Sequence, residues 1–249
     1  MRELADLDPS MSMSRTVEVL KKALDTIPYQ EGKALSLSGD QSRMIDLVTT
    51  KIDEAEGYFD RPVDEPSIYQ RLVSIGKASG RDDLVSKFGR RTAQIESADL
   101  EFQARLQAFF GATSRAVGLF QRSVDLTPDF TEAVDGLDRA ERRVAKSERN
   151  LPKMEDNARA KATSAKAWVD LGQAQADLDK LEESLRSFSR AVDLAPTDVA
   201  AMCKKGGALA ALGRVEEAKE CFEAALTIDP KSLNGKRGLN YTTWLLEHS

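Results

Sequence analysis

The chain has 249 residues, 31% of them charged and 6% aromatic, with a formal net charge of −5 at pH 7. That length buries a sizeable core, and the acidic balance argues against a surface built throughout for phosphate backbones, which draw on surplus Lys and Arg. The first twenty residues carry acids and Ser where a secretory leader needs an apolar run, and nothing later is apolar enough to cross a bilayer, so a cytoplasmic protein with two reduced thiols is expected.

In chain order, residues 14–27 and 40–59 read as amphipathic helices separated by the Gly and Ser of "GKALSLSGD". The stretch "DRPVDEP" after them is the candidate linker. Beyond it, Tyr69, Leu72, Val73 and Gly76 share one helical period, a Ser-Gly-Arg turn follows, and Leu84, Val85 and Phe88 mark a second helix. The expected organisation is an N-terminal helical segment over 1–60 and a helical-repeat domain over 61–249.

From residue 97 onward the chain follows a fixed ruler. Pro196 and Pro230 lie 34 residues apart, and Pro128 lies 68 before Pro196, which is two such steps. The window 97–130 is the loosest, with Leu100, Ala104, Ala116, Phe120, Ser123 and Pro128. Window 165–198 places Trp168, Leu171, Gly172, Phe188, Ala191 and Pro196 where 199–232 places Met202, Lys205, Gly206, Phe222, Ala225 and Pro230, with Ala218 between. The residue types have physical reasons. Gly172 and Gly206 let a neighbouring helix approach their backbone, and Trp168 and Phe188 fill the seam between helices. Leu-Thr-Pro, Leu-Ala-Pro and Ile-Asp-Pro each close a second helix, since proline disfavours helical geometry in the residue before it. A hairpin built this way is half exposed, and stacking on its neighbour buries the rest.

On these anchors the chain resembles the tetratricopeptide repeat family, whose unit is a pair of antiparallel helices. The resemblance implies an all-α superhelix, a solenoid of helical hairpins in which the first helix of each pair lines a concave groove that takes peptides or helices. Ser184 stands where the family usually has Ala, Gln175 where it has Tyr and Lys205 where it has Leu. In some members a clamp of Lys, Asn and Arg captures a chaperone's C-terminal carboxylate. The matching positions here are Val169, Gln173, Lys204, Asn234 and Gly238, of which only Lys204 is basic. Groove candidates are therefore Gln173 and Lys204, with Lys205, Lys236 and Arg237 adding positive lining; the alternative for Lys204 and Lys205 is that they frame a solvated helix.

Window 131–164 keeps the length of a repeat and loses its anchors. Pro152 would break a helix from within, so the sequence predicts a long irregular hairpin: one helix over about 129–149, a tip at Asn150-Leu151-Pro152, and a second helix over about 152–178. Between Arg139 and Lys166 the nine bases Arg139, Arg142, Arg143, Lys146, Arg149, Lys153, Arg159, Lys161 and Lys166 face the four acids Glu141, Glu148, Glu155 and Asp156, a surplus of +5. This basic arm reads either as a dock for an acidic protein surface or a nucleic acid, or as a solvated helical face. After Pro230, a terminal helix is expected to cap the last pair with Leu239 and Trp244 or Leu245 turned inward.

Catalytic groupings are sparse. His248 is the single histidine, at the end of the chain. Cys203 and Cys221 read as inert thiols on facing helices. The pairs Asp82-Asp83, Glu182-Glu183 and Glu216-Glu217 sit at helix starts, where negative charge favours the dipole. No enzyme activity, cofactor or metal is expected. The leading expectation is a scaffold binding a partner protein or peptide, acidic in the case of the basic arm. The alternatives are a nucleic-acid accessory factor using 139–166 and a protein that self-associates through its end helices.

Overall fold

The computed structural model describes residues 2–8, 12–31, 33–59, 63 and 65–248, and among them every regular element is a helix. Asp60, Arg61, Pro62 and Asp64 of the expected linker, and the side chain of His248, lie outside the described residues. None of the described helices is long and apolar enough to cross a membrane. The chain divides into two compact units, Met1–Glu96 and Ser97–Ser249.

In the first unit, the expected helices at 14–27 and 40–59 form as α2 (Met13–Asp25) and α3 (Gly39–Phe59), after a short α1 (Arg2–Ala5). Ser12 caps α2 by accepting from the Arg15 N–H at 3.4 Å. Helix α4 (Pro66–Ser79) opens on proline, whose missing N–H costs nothing there, and the first half of α5 (Asp82–Phe109) completes the unit. Leu20, Leu24, Ile27, Ile45, Val48 and Ile52 share a single buried cluster with Ile68, Leu72, Ile75 and Phe88. Residues on both sides of position 60 therefore build one core. Buried Tyr69 accepts from the Val63 N–H at 2.7 Å and donates to Glu56 at 2.6 Å, tying the chain between α3 and α4 to that core.

The second unit follows the 34-residue ruler. The second half of α5 pairs with α6 (Thr113–Leu126), Ser97 bonding Ser123 and Ala104 sharing a cluster with Ala116 and Phe120. Helix α8 (Ala165–Asp177) pairs with α9 (Leu181–Leu194) and α10 (Val199–Ala211) with α11 (Val215–Ile228), and α12 (Leu233–His248) covers the last pair. Phe120, Phe188 and Phe222 are buried at equivalent positions. Each ring lies where a side chain on the facing helix would collide with it. A Cβ on Gly172 would stand 2.7 Å from Phe188, and one on Gly136 or Gly238 only 2.3 Å from Phe120 or Phe222. Two family departures compensate locally. Ser184 donates to the Gly172 carbonyl at 2.8 Å, and Ser187 donates to Gln175 at 2.6 Å.

The corner inside each hairpin is equally regular. Gly111, Asp179 and Gly213 occupy the same place in their windows and all have positive φ, 95°, 60° and 79°. The next N–H reaches back five residues in each case: Ala112 to Gln107, Lys180 to Gln175 and Arg214 to Leu209, all at 2.9 Å. This is the left-handed cap that ends a helix by satisfying its last carbonyls.

The same corner explains a correction. The predicted hairpin with its tip at Asn150-Leu151-Pro152 does not form; α7 runs unbroken from Thr131 to Ala160 with Pro152 inside it. The position that carries Gly or Asp in the other windows is Ala145 here, a strong helix former with no reason to enter left-handed geometry. The turn comes instead after Lys161, the C-cap, and α8 restarts where the Ser164 side chain accepts from the Ala167 N–H at 3.4 Å. One further expectation changes. Trp168 is only partly buried and covers that turn, its indole N–H donating to the Ala162 carbonyl at 3.0 Å. On α12, Leu239 packs inward and, of the two alternatives beside it, Leu245 is partly buried while Trp244 is 51% exposed and stacks on Tyr241.

Candidate functional site

Within the second unit, the first helices α8, α10 and α12 line a groove whose walls include Gln173, Ala176, Ala200, Cys203, Lys204 and Asn234. Small side chains at Ala176, Ala200 and Gly207 leave room for a large one. The chain itself supplies it: Phe110, at the α5–α6 corner, is 7% exposed, and its ring lies 4.9 Å from that of Tyr241 and 6.4 Å from that of Phe222. A Cβ on Gly207 would meet the Phe110 carbonyl at 3.0 Å, so the corner's backbone also lies against α10. A cavity of about 130 Å³ remains around the ring.

A polar network holds the corner in place. Asp177, with its side chain 4% exposed, accepts from Thr113 at 2.7 Å, Ser147 at 2.9 Å and Gln173 at 3.1 Å, and pairs with Arg143 at 2.8 Å. Its buried charge is thus countered by a guanidinium and saturated with donors. Lys204 donates to Gln173 at the edge of this network. Burial, then the Arg143 guanidinium, push the Lys204 ammonium below its ordinary value, while Asp177 and Asp170 draw it back. Arg115 adds an ion pair to Asp179 at 2.6 Å and donates to the Ala211 carbonyl at 3.0 Å. Burial pushes both the Cys203 and Cys221 thiols up, so neither is an activated nucleophile at neutral pH.

Of the groove candidates, the structure brings Gln173 and Lys204 together on one wall. Lys205 is turned toward α11, where its charge acts on Glu217 and Cys221; Lys236 is exposed. Arg237 belongs to a second feature, an apolar trough of about 820 Å³ lined by Phe102, Leu106, Phe109, Tyr241 and Trp244, with Arg105 at its rim. The basic-arm candidates separate. Arg142 pairs with Asp138 at 2.8 Å and Arg159 with Asp156 at 3.8 Å; Lys146, Arg149 and Lys153 are exposed. Arg139 and Arg143 join Arg105 in a smaller cavity of about 250 Å³ over Phe120, Gly136 and Ala140. Sequence reasoning missed Phe110 and the trough. The available signal was two adjacent aromatics, Phe109 and Phe110, at a corner where the equivalent positions hold Asp177-Leu178 and Ala211-Leu212.

Stacked hairpins with a left-handed corner and a Phe set against Gly or Ala at a fixed interval define a helical-repeat protein. The family model of the tetratricopeptide repeat matches residues 165–198 and 199–232, so these two windows are tetratricopeptide repeats. No curated protein sequence matches the chain. Among solved structures it is similar in fold to the crystal structure of MamA, at 18% identity over 52% of this chain and 76% of that one with a TM-score of 0.39. It is also similar to YrrB, described as a tetratricopeptide protein with an unusual peptide-binding site, at 22% identity over 58% and 74% with a TM-score of 0.39. A MamA fragment from Desulfovibrio magneticus RS-1 matches 89% of this chain and 99% of its own at 15% identity and a TM-score of 0.35.

Proposed function

We propose that the chain is a non-enzymatic scaffold that binds a partner protein through residues 97–249. The observation that carries this reading is the seating of Phe110: the groove of α8, α10 and α12 receives an aromatic anchor between small side chains, with the corner's carbonyl against Gly207. A surface with that relief suits the docking of polypeptide. The chemistry nearby suits little else, since burial raises both thiols and the buried Asp177 carboxylate is fully engaged. The basic stretch supports nucleic-acid binding less well, because Arg142, Arg143 and Arg159 each face a carboxylate of the same chain.

Cross-linking mass spectrometry on the full chain in native lysate tests the scaffold reading. Partner proteins cross-linked to residues 97–249 are the expected result. Absence of such partners, with salt-dependent retention of RNA or DNA that is lost on reversing Arg149 and Lys153, would replace it with the nucleic-acid reading.

A further inference from the structure

We propose that the aromatic trough and the arginine cavity beside it form one composite site for a short protein segment carrying bulky apolar side chains next to a carboxylate. The proposal rests on the scaffold reading and adds the chemistry of the partner. Phe102 is 59% exposed and Trp244 is 51% exposed, yet both line one depression with Leu106, Phe109 and Tyr241. Clustered exposed aromatics mark interaction surfaces, whereas isolated ones do not, and a depression of about 820 Å³ is within the range of ligand-binding clefts. The stack of Tyr241 on Trp244, 6.2 Å between centroids, presents rigid amphipathic rings of the kind that anchor binding interfaces.

Charge selects the occupant. Arg105 lines both the trough and the cavity that holds Arg139 and Arg143, so the apolar and cationic surfaces are continuous. Two of the guanidiniums have counter-ions: Arg143 pairs with Asp177 at 2.8 Å, and Arg105, with its side chain 70% exposed, reaches Glu101 at 3.5 Å. Arg139 and Arg237 have no ion pair among the described residues and leave the rim with positive surplus. Guanidinium groups bind carboxylates bidentately, and Arg139 lies over a floor of Phe120, Gly136 and Ala140 that offers no competing acid. A second copy of this chain would set arginine against arginine. A segment with its apolar anchors in the trough and an Asp or Glu at Arg139 satisfies both surfaces at once. The site uses α5, α7 and α12, and it differs from the groove wall of Gln173 and Lys204.

The test pans a phage-displayed library of random 12-residue peptides on the full chain and measures the selected peptides, fluorescein-labelled, by anisotropy. Selected sequences are expected to combine two or more Leu, Ile, Phe or Trp with Asp or Glu. Their affinity should fall at least tenfold on Trp244→Ala and on Arg139→Glu, while Arg139→Lys keeps most of it. Changing the peptide's acids to Lys should abolish binding to the wild type and restore it to Arg139→Glu. Trp244 and Arg139 are exposed, and unchanged circular dichroism and melting will show that their variants fold. Three outcomes overturn the proposal: no peptide selected, basic or purely polar sequences selected, or peptides indifferent to both substitutions. Light scattering that finds a dimer dissolved by Trp244→Ala also overturns it, with a second copy as the occupant. If cross-linking finds partners on residues 97–249 that these substitutions leave bound, this site fails and the scaffold reading stands.

Discussion

The two units fill their interiors with different materials. The core of the first is mostly aliphatic and branched, with Leu20, Leu24, Ile27, Ile45, Ile52, Leu72 and Ile75 all fully buried around the two rings of Tyr69 and Phe88. In the second the buried set is mainly Ala, with Phe120, Phe188 and Phe222 recurring among its large members and Gly136, Gly172, Gly206 or Gly238 facing them. The aliphatic core tolerates many arrangements of similar volume, so its sequence carries amphipathic helices and no register. The aromatic-on-glycine arrangement works only when one residue meets one gap, which forces a period into the sequence. A repeat is readable because its packing is intolerant.

The largest expected effect that sharpens this contrast is Phe222→Ala, which empties the contact with Gly206 and Gly238 and should cost about 3–5 kcal/mol. Hydrogen exchange should then show lost protection throughout α6–α12 and unchanged protection in α2–α4. Ile52→Ala, at about 2–5 kcal/mol, should do the reverse. If either substitution loosens both units, the division is not energetic and the comparison breaks. Next comes Pro152→Ala, which removes a breaker from inside α7 and should raise stability by as much as about 3 kcal/mol in thermal unfolding. No gain would mean that α7 bends at Pro152 for a reason the helix alone does not supply.

Gly172→Ala should destabilise by about 1–3 kcal/mol, because the new methyl meets the Phe188 ring. Gly118→Ala should stabilise by about 0.5–1 kcal/mol, because a Cβ there meets nothing within 4 Å and the residue lies inside α6. Equal effects from the two would refute the close-approach account. The smallest effect is chemical. Burial raises both thiols, so alkylation of the folded chain at mildly alkaline pH should be slow and become fast in denaturant. The folded thiols titrate above their unfolded value, so their contribution is present while they are protonated and is lost as pH rises through the alkaline range. Because both cysteines lie in α10 and α11, labelling should quicken in Phe222→Ala and not in Ile52→Ala.

The legible parts of the fold were those with a fixed interval or a sharp stop. Pro128, Pro196 and Pro230 located the ends of α6, α9 and α11, and Phe and Gly located their seams. The fused helix α7 departs from the expected hairpin because Ala145, and not Pro152, decides whether a corner forms. Helices α2–α4 were legible one at a time, while their shared core with α5 depends on pairings that no period records. At the candidate site, Gln173 and Lys204 followed from repeat position. Phe110, Trp244 and the company Arg139 keeps with Arg105 did not, because they arise between elements far apart in the chain.

The seating of Phe110 also bears on how the second unit comes apart. In a stack whose repeats touch only their neighbours, the last helix can fray while the rest stands, and melting proceeds in steps. Here the ring of Phe110 rests on Tyr241, and Arg115 holds the Ala211 carbonyl, clasping the first hairpin to the far end of the series. Peeling away α12 would uncover a residue more than a hundred positions upstream, which makes the unit unfold all or none and makes its final helix a keystone.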